Sequence, residues 1–98
     1  MVVYEVTLDV APALMEAVAS YMRGQHIPAI LATRCFRRIH LERTSPTRIR
    51  TRYEADGHAA LEGYLEEFSP HYRAEFQSRF PTGVVASREI WTEEGVWP

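Results

Sequence analysis

Val2, Tyr4, Val6, Leu8 and Val10 recur with period two, while Glu5, Thr7 and Asp9 point the other way. Such alternation predicts a half-buried strand. Pro12 suits the first turn of a helix, where a missing N–H costs nothing. Leu14, Val18, Tyr21 and Met22, helped by Met15, follow at helical spacing and make one apolar stripe. Gly24 is expected to weaken or end that helix. His26-Ile27-Pro28 then restarts a short helical turn carrying Ile30 and Leu31. Cys35 to Arg43 reads as a second strand, with Cys35, Ile39 and Leu41 on one face and Phe36, Arg38, His40 and Glu42 on the other. Thr44-Ser45-Pro46-Thr47 is a turn by composition. Arg48 to Ala55 is a third strand, with Ile49, Thr51, Tyr53 and Ala55 facing one way and Arg48, Arg50, Arg52 and Glu54 the other.

Asp56 is placed to cap a second helix, its carboxylate accepting from free backbone N–H groups. Leu61, Tyr64, Leu65 and Phe68 keep helical spacing; Ser69-Pro70 marks a break and a new start. Tyr72, Phe76 and Phe80 continue the stripe, and Glu75 and Arg79 are spaced to pair across one turn. Pro81-Thr82-Gly83 stops the helix. Val84 to Glu93 is the last strand, with two possible phases: Val84, Ala86 and Ile90 share a face with Arg88, and Val85 and Trp91 share one with Ser87 and Glu89.

Strand–helix–strand–strand–helix–strand, each strand apolar on one face, predicts an α+β fold. It is a ferredoxin-like βαββαβ sandwich, an antiparallel sheet with two helices on one face. A chain of 98 residues is read as a single domain spanning 1–98. The second sheet face carries Val3, Phe36 and, in one phase, Trp91 among charged residues. That mixture predicts a homodimer packed through the open sheet face, since most soluble oligomers are cyclic dimers.

Composition narrows the chemistry. All eleven basic residues are arginine, so lysine chemistry such as a Schiff base is excluded. Residues 34–52 hold seven arginines against Glu42 alone, while the remainder holds four arginines and twelve acids. A basic hairpin therefore stands on an acidic body. Arg48, Arg50 and Arg52 project together, as on RNA-binding sheets, but no glycine accompanies Arg50-Thr51-Arg52-Tyr53 and Tyr53 faces the helices. The net charge of −2 also argues against nucleic acid, and none is expected as partner. The arginines are expected to pair with Glu5 and Asp9 on the first strand. No apolar run approaches the ~20 residues that span a bilayer, so no membrane association is expected. Val2 to Val10 alternates rather than forming a signal peptide, and Cys35 is the only cysteine. The expected compartment is the cytoplasm, with Cys35 a buried structural thiol.

Four scattered histidines and one cysteine lack metal-ligand spacing, so no metal is expected. There is no glycine-rich phosphate loop and no serine in a nucleophile elbow; no cofactor is expected and no catalytic set is legible. His26, ending a helix beside Pro28, is read first as a donor to free helix carbonyls and second as a base or ligand contact. His40 is placed on the open face between Arg38 and Glu42, and His58 and His71 at helix starts. Two candidate ligand sites follow. One lies between sheet and helices with His26, Tyr21 and Tyr64; the other lies in the dimer with His40, Arg38 and Arg50. Arginine clusters suit a small organic anion through bidentate pairing.

His26-Ile27-Pro28, the following Leu31-Ala32-Thr33-Arg34-Cys35-Phe36, Tyr64-Leu65 with Pro70, and Arg79-Phe80 resemble an uncharacterised family of short bacterial proteins. Its pattern is His-Ile-Pro, two residues, Met or Leu, then Ala-Thr-x-Cys-Phe, with a later Tyr-Leu-x-x-x-x-Pro and an Arg-Phe pair. The resemblance covers nearly the whole chain. It implies the dimeric α+β barrel type, the group that includes cofactor-free antibiotic-biosynthesis monooxygenases and haem-degrading relatives. Family members often carry a histidine near the position of Phe76, so no role for that imidazole passes to this chain. The reading is a ligand-binding or interaction module; the alternative is a cofactor-independent oxygenase or isomerase acting on a small organic anion.

Overall fold

A computed structural model describes all residues, Met1–Pro98. Its strands are β1 (Val2–Val10), β2 (Arg38–Ser45), β3 (Arg48–Ala55) and β4 (Val84–Thr92). They form one antiparallel sheet in the order β2-β3-β1-β4. The helices are α1 (Met15–Tyr21), α2 (Ile27–Leu31), α3 (His58–Glu67) and α4 (Ser69–Arg79). All of them cover one side of the sheet, which makes the fold ferredoxin-like.

The alternation in β1 does what its period requires: Val2, Tyr4, Leu8 and Val10 are buried under the helices, and the odd-numbered residues face away. Around them are two apolar clusters. At one end Tyr4, Tyr53, Phe36 and Tyr64 pack with Ile30 and Leu61. At the other, Leu8 and Ile49 pack with Met15, Val18 and Met22. Each such side chain taken from water contributes about 1.5–3 kcal/mol.

Several local expectations are corrected. Gly24 does not end the first helix, because the chain stays helical from Met15 to Leu31 through one π-helical turn, Met22–His26. The wider turn absorbs one extra residue without breaking the ladder. His26 consequently does not sit at a free helix end, and its Nδ1 has no partner. The helix stops instead at Leu31, and in the turn that follows Arg34, with φ 63°, takes the left-handed conformation usual after a helix. Phe36 precedes β2 rather than lying on the open face; it is 5% exposed, its ring centroid 4.7 Å from that of Tyr64. Asp56 does not cap α3, which starts after Gly57 with no side-chain cap; Asp56 pairs with Arg37 at 3.2 Å. Glu75 and Arg79 make no ion pair. Glu75 accepts from the Tyr21 hydroxyl at 3.1 Å and meets His71 at 3.6 Å, while Arg79 lies over the Tyr21 ring at 4.9 Å. Cys35 is half-buried, its thiol near the Thr33 carbonyl.

The register also settles β4. Tyr4 pairs with Ile90, Val6 with Arg88 and Leu8 with Ala86, so Val84, Ala86, Arg88 and Ile90 face the helix side. Val85, Ser87, Glu89 and Trp91 face the open side. The helix layer covers β4 poorly: Ile90 remains 51% exposed. No helix is long and apolar enough to cross a membrane.

Candidate functional site

Incomplete cover over β4 leaves a cleft of about 460 Å³ between sheet and helices. Its floor is Tyr4 and Leu8 of β1, Tyr53 of β3 and Ala86 and Arg88 of β4. Its walls are the π-helical turn, through Met22 and His26, and α4, through Tyr72, Arg73, Phe76 and Gln77. The spacing Tyr72–Phe76–Phe80 that predicts the apolar stripe is what lines the cleft with rings, while Arg73 and Gln77 flank them. The volume is that of a small-molecule site, mostly apolar with few polar groups.

Those polar groups fall into three kinds. The Arg73 guanidinium donates to the Tyr4 hydroxyl at 3.0 Å, so it is held over the floor. Arg88 projects from β4 into the same space and forms no ion pair. The phenols of Tyr53 and Tyr64 are pushed well above their ordinary range, chiefly by burial, and remain hydrogen-bond donors at all physiological pH. His26 is the third kind. Only 9% exposed, it sits among the rings of Tyr21, Tyr72 and Phe76 at centroid distances of 5.8, 6.1 and 5.8 Å. Burial lowers its pKa to about 4, against a smaller opposing pull from Glu75. The imidazole is therefore neutral at pH 7, with an acceptor to offer.

The six residues singled out in the sequence are divided by the sheet. His26 and Tyr64 line the cleft. Tyr21 stands beside it, its ring against His26 and its hydroxyl donating to Glu75; burial first, and that carboxylate second, raise its pKa. His40, Arg38 and Arg50 lie on the opposite face. There His40 Nε2 meets Glu54 Oε2 at 2.6 Å, and Arg50 pairs with Glu42 at 2.9 Å and Glu5 at 3.7 Å. Arg48 binds Asp9 at 2.8 Å. These pairs, which include the expected partners Glu5 and Asp9, leave Arg38 without one. Arg73, Arg88 and Tyr4 escaped the sequence reading. A signal existed for Arg88: it stands in phase with Val84, Ala86 and Ile90, a charge on an otherwise apolar strand face. No group of three or more histidine, cysteine or acidic side chains is placed to hold a metal ion.

Residues 1–94 match the model of a family described as a domain of unknown function, DUF4286. No curated protein matches the chain in sequence. Solved structures share its fold at low identity. A dimeric ferredoxin-like protein from an uncultured marine organism superposes with a TM-score of 0.74 at 10% identity, covering 100% of this chain and 99% of that one. SnoaB, a cofactor-independent oxygenase from Streptomyces nogalater, gives 0.70 at 18% identity, covering 99% and 96%. A monooxygenase from the ActVA-Orf6 gene of Streptomyces coelicolor, solved with nanaomycin D, gives 0.72 at 16%, covering 99% and 90%.

Proposed function

We propose that this chain, which belongs to the DUF4286 family, is a homodimeric binding module whose cleft between α4 and β4 takes a small organic anion with an apolar body. The observation that carries this is Arg88: an arginine without a counter-charge, on the floor of a cavity otherwise lined largely by rings and aliphatic side chains. Arg73, tied to Tyr4, supplies a second cation on the same lining. Two guanidiniums suit a carboxylate, which each can grip in a fork. The neighbouring phenols add neutral donors, and the rings give the apolar body its surface. A homodimer through the open sheet face is supported by the exposed Val85 and Trp91 on that face and by the dimeric state of one protein of the same fold. We place the module in the cytoplasm, on the strength of its single cysteine.

The test is a thermal-shift screen followed by calorimetry, with aromatic and aliphatic monocarboxylates against their methyl esters. Carboxylates are expected to stabilise the protein and the esters are not. Arg88→Ala is expected to weaken carboxylate binding about tenfold or more, the loss of a charge-assisted pair of roughly 1.5–3 kcal/mol. Equal binding of acids and esters, or undiminished binding by Arg88→Ala, overturns the reading.

His26 favours a second reading, an enzyme of the cofactor-independent oxygenase or isomerase kind. A neutral imidazole on the cleft lining can take a proton from a bound carbon or oxygen acid. An oxygenase of the same fold works without a cofactor. Turnover of a bound anion that disappears in His26→Ala while binding persists would select this reading.

A further inference from the structure

We propose that the cleft ligand is a hydroxy acid: its carboxylate lies on Arg88 and Arg73, and a hydroxyl further along its apolar body is hydrogen-bonded by His26. This rests on the anion-binding reading above and goes further by naming a second polar group of the ligand and the residue that reads it. His26 is 9% exposed, yet neither of its ring nitrogens makes a hydrogen bond within the chain. Nδ1 is enclosed without a partner, which leaves Nε2 to meet the contents of the cleft that the residue lines. The polar atoms around the ring are already engaged. The Tyr21 hydroxyl donates to Glu75 at 3.1 Å, the Tyr72 hydroxyl donates to the Ala29 carbonyl at 3.4 Å, and the other Glu75 oxygen meets His71 at 3.6 Å. Buried polar groups are nearly always satisfied, by the chain itself or by something bound to it. For packing among three rings alone, phenylalanine would fill the same place without stranding two nitrogens.

The place of His26 along the cleft sets where the hydroxyl sits. Tyr72 packs with the cluster of Tyr4, Tyr53 and Tyr64, whereas Phe76 and Phe80 pack with the cluster of Leu8 and Met22. The His26 ring packs against both Tyr72 and Phe76, so it stands at the seam between the two clusters. On one side of that seam are the cations. Arg73 donates to the Tyr4 hydroxyl, and Arg88 lies close enough to Tyr53 for its charge to act on that phenol. On the other side, Leu8, Phe80 and Val84 offer no side chain that can hydrogen-bond. Arg73 lies between Tyr72 and Phe76 in sequence, so cation and imidazole fall within one turn of α4, ~5 Å of rise. A carboxylate and a hydroxyl set apart by one ring or a short chain span that interval, and the apolar end receives the rest of the body. A hydroxyl suits the imidazole whichever of its nitrogens carries the proton, because it both donates and accepts.

Calorimetric titration of the full chain with 4-hydroxyphenylacetate and with phenylacetate tests this, each also offered as its methyl ester. The hydroxy acid is expected to bind about tenfold more tightly than phenylacetate, the worth of one buried hydrogen bond. In His26→Phe that preference is expected to fall to about twofold or less, because the variant removes the partner of the hydroxyl and keeps the ring. A preference below about threefold in the unaltered protein, or one that survives in His26→Phe, overturns the hydroxyl assignment and leaves anion binding standing. Esters that bind as well as the acids, or no binding by either acid, overturn both. If His26→Phe does not fold, nitrogen NMR of the imidazoles in the unaltered protein decides. There 4-hydroxyphenylacetate, and not phenylacetate, is expected to shift the His26 Nε2 resonance; equal shifts, or none, overturn the assignment.

Discussion

His26 holds its place among three aromatic rings, and its burial ties stability to pH. Its folded pKa of about 4 lies below the ordinary 6.5, so the unfolded chain binds more protons between those values. The stability its neutrality contributes is therefore present above about pH 6.5 and is lost as pH falls toward 4. The full swing is of the order of 2–3 kcal/mol. His26→Phe, similar in shape and without a proton to bind, is expected to flatten that part of the pH profile in urea titrations at pH 4 to 7. An unchanged slope would show that other groups carry it. The side chain was visible in the sequence, but its environment was not. Its neighbours Tyr72 and Phe76 arrive from α4, more than 40 positions away. Arg88 illustrates the same limit. Its phase was readable as one of two choices, yet which choice faced a cleft depended on how α4 sits over β4.

At the scale of elements, β1 and β3 were fully legible because both faces of an alternating strand announce themselves. The helix after β1 was legible in position but not in length. Composition could not show that Gly24 lies inside a π-helical turn, since the glycine is in open space and no close approach demands it. Asp56 was misread because a capping residue and an ion-pair partner look identical in sequence; Arg37, brought near by the path into β2, decides between them. Two glycines make the elements testable. Gly63 lies mid-helix in α3 with nothing near its missing Cβ, so Gly63→Ala is expected to stabilise by about 0.5–1 kcal/mol. Gly83, entering β4, has φ +84° and would set a Cβ 2.6 Å from Leu14 Cδ1. Gly83→Ala is expected to cost about 1–2 kcal/mol for the backbone alone. Chemical denaturation of the two variants should move the midpoint in opposite directions.

For the whole molecule, the sheet divides two surfaces of different chemistry. One is a ring-lined cleft with two cations on its lining, and the other is a polarised field of charges with Trp91 and Val85 at its edge. A dimer through the second surface makes folding and association one equilibrium, so the thermal midpoint is expected to rise with protein concentration. Calorimetry at ~10 µM and ~500 µM measures this; a midpoint independent of concentration would argue for a folded monomer. Residue periodicity by itself determined the element order, the helix-bearing face of the central strands and the ferredoxin-like class, because a period of two or of 3.6 is a local property of neighbouring residues. Tertiary structure alone decided that Phe36 belongs to the core, that Arg73 and Arg88 share a cleft with His26, and that Arg38, Arg50 and His40 are sealed off from it. Those outcomes turn on strand register and on how far a helix layer reaches across a sheet, and both are set by contacts between segments distant in the chain.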